Sequence, residues 1–311
     1  MERMWGGRRL QSEFGKKLPQ NKQIGESWEI VDRPEAQSIV RSGPLRGKTL
    51  HELWTQHRSA RRTDSSCGEQ SIFGDIPDGP RFPLLIKLLD ASEKLSLQVH
   101  PPEKIAAKLG GEPKTEFWYV AAAEPDAELF LGLRKPIMRD EFEDALNSGT
   151  AEEQVHKVRV KIGNSMFLPA GRLHAVGAGN LLVEVQQNSD TTYRVFDWNR
   201  PDENGKPRQL HVDQALECID FNDVKPEPVQ PKGELLVRHR LFEIRKWNLD
   251  APREITLPGQ FAVGLCLNGS LRCSDLDLVR GEFFLVPASL QDRQLKPLSE
   301  GTTLLRVTIP V

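Results

Sequence analysis

The sequence predicts a mainly β protein, a jelly-roll sandwich or barrel with a few short helices packed over it. Three observations lead there. Strand-length apolar runs punctuated by Gly, Pro and Asn recur along the 311 residues, as they do where strands turn back on themselves repeatedly. Helical periodicity is confined to a few short windows. A glycine, apolar strand and proline unit also occurs twice, as "GNSMFLPAGRLH" from Gly163 and "GEFFLVPASLQD" from Gly281. A supersecondary unit used twice implies two related β-domains.

Taken in order, "TLHELWTQH" (49–57) predicts the first helix. Thr49 and Glu52 stand at capping-box spacing, and Leu50, Leu53, Trp54 and His57 share a face. Strands follow in "PLLIKLLD", "KLSLQVH", "TEFWYVAAA" and "ELFLGL". A second helix covers 137–149, with Met138, Phe142, Ala145 and Leu146 on its stripe and Gly149 as its stop. More strands come in "HKVRVKIG", "SMFLPAG", "LLVEVQQ" and "TTYRVFDW", before a third helix over 211–221 built on Val212, Ala215, Leu216 and Ile219. The stretch 221–234, rich in Pro and charge, reads as a linker. It divides a first domain, 1–222, from a second, 233–311. In the second, "LLVRHRLFEIRKW", "QFAVGLCLNGSLRC" and "EFFLVPA" are strands, and Asn268-Gly269 signals a hairpin turn.

Composition excludes several classes. Lys and Arg number 42 against 44 Asp and Glu, a formal net charge of -2, so neither a nucleic-acid groove nor a basic membrane patch is expected. The start, "MERMWGGRRLQSEF", lacks a signal-peptide core, and no later apolar run could span a bilayer. Cys67, Cys218, Cys266 and Cys273 show no CxxC spacing and read as reduced thiols. The expectation is a cytoplasmic protein with no membrane or nucleic-acid partner.

Side chains alternate faces along a strand. In "LSLQVH", Leu95, Leu97 and Val99 take one face, leaving Ser96, Gln98 and His100 as a polar row on the other. In "KTEFWYV", Lys114, Glu116 and Trp118 share a face. Between them "PPEKIAAKLGG" reads as a helical connection that starts at proline and ends at glycine. With His174, at a loop-to-strand turn, the set Gln98, His100, Glu116 and His174 can complete a divalent-metal shell whose N/O mixture suits zinc. The competing reading of such histidines is structural hydrogen bonding, and His57, His156, His211 and His239 receive that reading. Further on, Leu182, Glu184 and Gln186 share a face, placing a carboxylate in a cleft or on an exposed edge. Arg194 and Arg200 suit phosphate oxygens, or else surface ion pairs.

At these residues the chain resembles type I phosphomannose isomerase, also called mannose-6-phosphate isomerase, in its short bacterial form. The matching stretches are "WGGRRL", "IGESWEIVDRP", "GPLRGKTLHELW", "PLLIKLLDASEKLSLQVHPP", "KTEFWYV", "FLPAGRLHAVG" and "EVQQNSDTTYRVFDWNR", in order through residues 3–220. The resemblance implies a double cupin fold, with a catalytic first domain and a degenerate cupin-like second one. It also implies one zinc, held by Gln98, His100, Glu116 and His174. Lys114, Glu184 and Arg194 fall on active-site positions, Ser96 on a serine associated with the substrate phosphate. Arg200 stands where longer members carry a phosphate-directed lysine. The implied reaction interconverts mannose 6-phosphate and fructose 6-phosphate through a cis-enediol. The helical insertion of longer members is missing, and "HPPEK" replaces their commoner "HPDD". A cupin oxygenase using iron or nickel would be expected to carry histidine where Gln98 stands. A non-catalytic sugar-phosphate-binding or regulatory cupin would show an eroded site, whereas Lys114 and Arg194 are both present.

Overall fold

Alternation along the strands decides which residues become core, and two sandwiches result. The computed structural model describes residues 1–57, 71–201 and 205–310, so Cys67 lies outside the described residues. The chain begins with β1 (Glu2–Gly7), α1 (Arg9–Phe14), β2 (Glu26–Ile30), β3 (Asp32–Arg33), β4 (Ala36–Gln37) and α2 (Leu50–His57). Next come β5 (Leu84–Ala91), β6 (Leu97–Val99), α3 (Glu103–Ala106), β7 (Glu116–Ala123), β8 (Glu128–Leu133) and α4 (Arg139–Asn147). Then follow β9 (Val155–Arg159), β10 (Ser165–Leu168), β11 (His174–Val176), β12 (Asn180–Gln187), β13 (Tyr193–Phe196) and α5 (Val212–Cys218). The rest is strand: β14 (Leu235–His239), β15 (Phe242–Asn248), β16 (Arg253–Glu254), β17 (Ala262–Asn268) and β18 (Ser270–Cys273). It closes with β19 (Leu276–Val279), β20 (Phe283–Val286), β21 (Gln294–Pro297) and β22 (Thr303–Thr308).

The first sandwich packs the sheet β10-β7-β12-β5-β2 on the sheet β13-β6-β11-β8-β9. Its interior joins Trp118, Val120, Met166, Leu168 and Leu182 of one sheet to Leu129, Leu131, Val158 and Val176 of the other. The outer face of the second sheet is covered too. There Leu97, Val99 and Val195 lie in one cluster with Phe142 of α4 and Ala215 and Leu216 of α5. Leu97 and Val99 of β6 therefore sit under helices, and by parity Gln98 faces the sandwich interior; Leu95, expected on the same face as Leu97, instead packs in the interior cluster because it precedes the strand. In α2 the capping box forms, Thr49 N–H donating to Glu52 Oε2 (2.7 Å) and Glu52 N–H to Thr49 Oγ1 (3.1 Å). The second helix starts two residues later than its periodicity suggests, because Met138 is its cap and donates its backbone N–H to Glu141.

The second sandwich repeats the plan. Its sheets run β14-β15-β22-β17-β20 and β16-β21-β18-β19. Read from the repeated unit, β20-β17-β22-β15-β14 matches β10-β7-β12-β5-β2 strand for strand. β10 and β20 each follow a left-handed glycine, Gly163 (φ 91) and Gly281 (φ 87), a conformation costly for other residues. Asn268 and Gly269 make no hairpin. β17 pairs with β20 and β22, while β18 pairs with β19 and β21. The chain turns a corner there, leaving one sheet for the other, with Gly269 at φ 72.

Two compact units are resolved by contacts: residues 1–10, 18–28 and 85–229, and residues 11–17, 29–84 and 230–311. Residues 29–84 thus group with the C-terminal strands. Their anchor is a ring cluster within the second unit, Trp54 and Phe73 at 5.2 Å and Phe82 and Phe261 at 5.8 Å between centroids. Cys218, Cys266 and Cys273 are buried free thiols. Among the described residues no helix is long and apolar enough to cross a membrane.

Candidate active site

Three strand ends converge inside the first sandwich. His100 follows β6, Glu116 opens β7 and His174 opens β11, and all three are buried. His100 Nε2 lies 3.4 Å from Glu116 Oε2, and His174 Nε2 lies 3.6 Å from Glu116 Oε1. The ligating atoms of the three fall within 4.8 Å of one another. Gln98, half-buried, is the cross-strand partner of His174 on one side and of Arg194 on the other.

The hydrogen bonding of this cluster is incomplete in one direction only. His100 Nδ1–H donates to the Thr191 carbonyl (3.0 Å), and His174 Nδ1–H to the Arg172 carbonyl (2.8 Å). Since a carbonyl only accepts, both tautomers are fixed with the Nε2 lone pair free, the arrangement that orients metal-bound imidazoles. His100 Nε2, His174 Nε2 and both Glu116 oxygens are buried without a hydrogen-bond partner. Burying so many acceptors is costly unless a cation satisfies them. The donor set of two imidazoles and one carboxylate fits a divalent ion, and Gln98 is the cross-strand neighbour of His174.

The charge states agree. Burial, with the adjacent Lys114 charge, pulls the His100 pKa down to about 3, and burial lowers His174 as well. Both are neutral donors at neutral pH. Burial opposes ionisation of Glu116, but Lys114 and the two imidazoles outweigh it and hold that carboxyl well below its usual range. Burial likewise opposes the charge on Lys114, and Glu116, Glu184 and Asp190 outweigh it, raising its pKa. The Lys114 Nζ lies 3.3 Å from Glu116 Oε2.

Glu184 faces the same interior, opposite Trp118 in the β12–β7 register. It accepts a hydrogen bond from Trp118 Nε1 (3.0 Å) and is pushed up to about 7 by burial and by Glu116. Its other oxygen lies 3.7 Å from Lys87 Nζ, a group absent from the sequence reading. Lys87 is 3% exposed, 3.8 Å from Glu26 and 3.5 Å from Asp190, with its ammonium 4.6 Å from the Trp28 ring centre. A lysine in the middle of "PLLIKLLD" was the available signal.

A second group of charges adjoins this one along β6. Arg194 Nε donates to Ser96 Oγ (3.2 Å), and its Nη1 to the Gln209 carbonyl (2.8 Å). Arg200 grips Asp197 through Nε and Nη2, at 3.2 and 3.0 Å. Arg208, also unforeseen, holds both oxygens of Asp197. Two guanidinium groups thus share the Asp197 carboxylate with Arg194 nearby, and burial together with Arg208 lowers the Arg194 pKa. Ser96 and Gln98 are two residues apart, about 7 Å along a strand, so the metal-type cluster and the cationic cluster lie side by side.

A metal-type donor set inside the first of two jelly rolls assigns the chain to the cupin class. Comparison with known proteins narrows this. The family model for the catalytic domain of type I phosphomannose isomerase matches residues 1–129. The chain is 33% identical to the mannose-6-phosphate isomerase ManA of Bacillus subtilis, over 96% of this chain and 94% of the relative. It is 32% identical to the mannose-6-phosphate isomerase of Streptococcus mutans, over 94% and 92%. The crystal structure of the mannose 6-phosphate isomerase from Bacillus subtilis superposes with a TM-score of 0.85 at 34% identity, covering 99% of this chain and 97% of that one. The chain belongs to the type I phosphomannose isomerase family and is an isomerase.

Proposed function

We propose that this protein interconverts mannose 6-phosphate and fructose 6-phosphate through a cis-enediol, using one zinc ion held by Gln98, His100, Glu116 and His174. The observation that carries the reading is the set of buried, unpartnered lone pairs on His100, His174 and Glu116, with Arg194, Arg200 and Arg208 along the adjoining strand end. One carboxylate and three neutral ligands leave a zinc ion with a surplus of positive charge, which stabilises negative charge developing on the sugar oxygens.

The chain's own residues do the rest. Glu184 takes the proton from the second carbon of the open-chain sugar and returns it to the first, and its raised pKa suits both directions. Lys114, held charged by its carboxylate neighbours, gives an ammonium to the developing enediolate. Arg194, tied to Ser96 and the Gln209 carbonyl, places a second positive charge between the metal ligands and the Arg200–Arg208 pair. Ser96, Arg200 and Arg208 bind the phosphate, for which guanidinium forks are well shaped.

The test is the reaction run in D2O on metal-loaded protein with mannose 6-phosphate. Fructose 6-phosphate is expected, carrying solvent deuterium at its first carbon to the extent that Glu184 exchanges its proton before returning it. No conversion removes the assignment, and turnover unchanged in Glu184→Gln removes the proton-transfer step given to Glu184.

A further inference from the structure

The matching strand orders let the two sandwich interiors be compared position by position. Leu168 and Val286 precede the prolines of the repeated unit. Leu168 pairs with Glu116, and Val286 with Ala262. The metal-type carboxylate of the first interior therefore has alanine as its counterpart. Two residues along, Trp118 pairs with Glu184 while Gly264 pairs with Arg306. The buried glutamate of the first interior thus corresponds to an arginine in the second. Phe284 fills the place of the missing tryptophan, since a Cβ on Gly264 would come within 2.2 Å of its ring.

Arg306 does not stand alone. It is the cross-strand partner of Arg245, and Trp247 that of Leu304, so Glu243, Arg245, Trp247 and Arg306 share one face. These residues, with Arg238 and Arg253, line a cavity of about 670 Å³, within the range of small-molecule sites. Glu243, 6% exposed, is approached by Arg238 and Arg245 at 2.7 Å and Arg306 at 3.5 Å. Glu234 pairs with Arg253. The remaining lining carboxylate, Glu254, is matched by Arg293. Four lining guanidinium groups thus face two carboxylates not otherwise matched, a surplus of two positive charges. The Arg253 guanidinium lies 3.7 Å from the Trp247 ring centre, and the buried Trp247 Nε1–H has no hydrogen-bond acceptor. Burial lowers the Arg306 pKa against the pull of Glu243, and Arg245 and Arg253 lower it further. An added acceptor would relieve both the tryptophan and the crowded arginines.

We propose that the second sandwich carries its own metal-independent site for a small organic oxyanion, a phosphate monoester or a carboxylate. Arg245, Arg253 and Arg306 bind it and Trp247 Nε1–H is available as a further donor. The same position of the fold has exchanged metal-ligating and basic groups for forked cations. Among the described residues, the His/Cys/Asp/Glu grouping of metal-ligating spacing is His100, Glu116 and His174, all in the first sandwich.

The test is calorimetric titration of the chelator-treated full chain with inorganic phosphate and, separately, citrate. At least one of them should bind. Arg306→Gln and Arg253→Gln should each weaken that binding about tenfold or more, the scale of one charge-assisted contact. Arg208→Ala, which weakens the phosphate end of the first sandwich, should retain it. Preference for phosphate or for citrate identifies the oxyanion. Arg253, with 42% of its side chain exposed, can be replaced without emptying the interior, so the test stands even if Arg306→Gln fails to fold. Binding of neither anion, binding unchanged in Arg253→Gln, or binding lost in Arg208→Ala would each overturn the proposal.

Discussion

Replacing Glu184 by glutamine is the perturbation whose consequences the structure specifies most fully. The substitution is isosteric and leaves a carbonyl oxygen to accept from Trp118 Nε1, but it removes a charge from a fully buried position. In metal-free protein Glu184 is raised from 4.5 to about 7 by burial and by Glu116. Because its folded pKa lies above the unfolded value, the folded state holds the proton more tightly. Its contribution to stability is complete below pH 4.5 and is lost as pH rises through 7. That rise in pKa corresponds to about 3 kcal/mol. His100 and His174, whose pKa values are lowered, act in the opposite sense, adding stability as pH rises toward 6.5. They are common to both proteins, so the difference between them isolates Glu184. Urea unfolding of chelator-treated wild type and Glu184→Gln at pH 5, 6, 7 and 8 is the assay. The variant should gain about 3 kcal/mol relative to wild type across that range. The metal-loaded variant should lose about 10²- to 10⁴-fold in kcat, the usual contribution of a general base. Parallel stability profiles, or unchanged turnover, would refute the assignment.

Other outcomes follow from the same geometry. With the phosphate role proposed for its guanidinium, Arg208→Ala should raise KM for mannose 6-phosphate about tenfold while kcat holds within a few-fold; steady-state kinetics check this. Glu116→Gln should weaken zinc binding by more than about a hundredfold, beyond the usual loss for an outer-shell partner, as read by competition with a chromophoric chelator. Arg172 makes two hydrogen bonds to Asp223, at 2.7 and 2.8 Å, while its carbonyl fixes His174. Arg172→Ala should therefore cost about 10- to 100-fold in metal affinity, measured the same way.

Much of this arrangement was legible in the sequence because it rests on local parity. Alternation alone put Ser96, Gln98 and His100 on one face and Lys114 and Glu116 on another, and the structure turns both into one interior. The rest depended on partners distant in the chain. Lys87 has a site only because Glu26, Glu184 and Asp190 close around it. Arg208 reaches Asp197 from 11 residues further along the chain. Asn268-Gly269 carries the local chemistry of a hairpin, yet pairing with β22 and β21 sends its two strands into different sheets. Residues 29–84 join the C-terminal strands through a ring cluster formed by Trp54, Phe73, Phe82 and Phe261, which no local pattern announces. The repeated glycine–strand–proline unit, by contrast, did foretell two sandwiches of one design.

The central claim is that the buried His100, Glu116 and His174 cluster, completed by Gln98, holds the one metal ion on which isomerisation depends. The direct measurement pairs metal content with turnover of mannose 6-phosphate as zinc is removed by a chelator and returned stepwise. Activity should disappear with the metal and return in proportion to added zinc, saturating at one ion per chain. Metal-free protein that still turns over at the full rate, or recovery that needs a second ion, would contradict it.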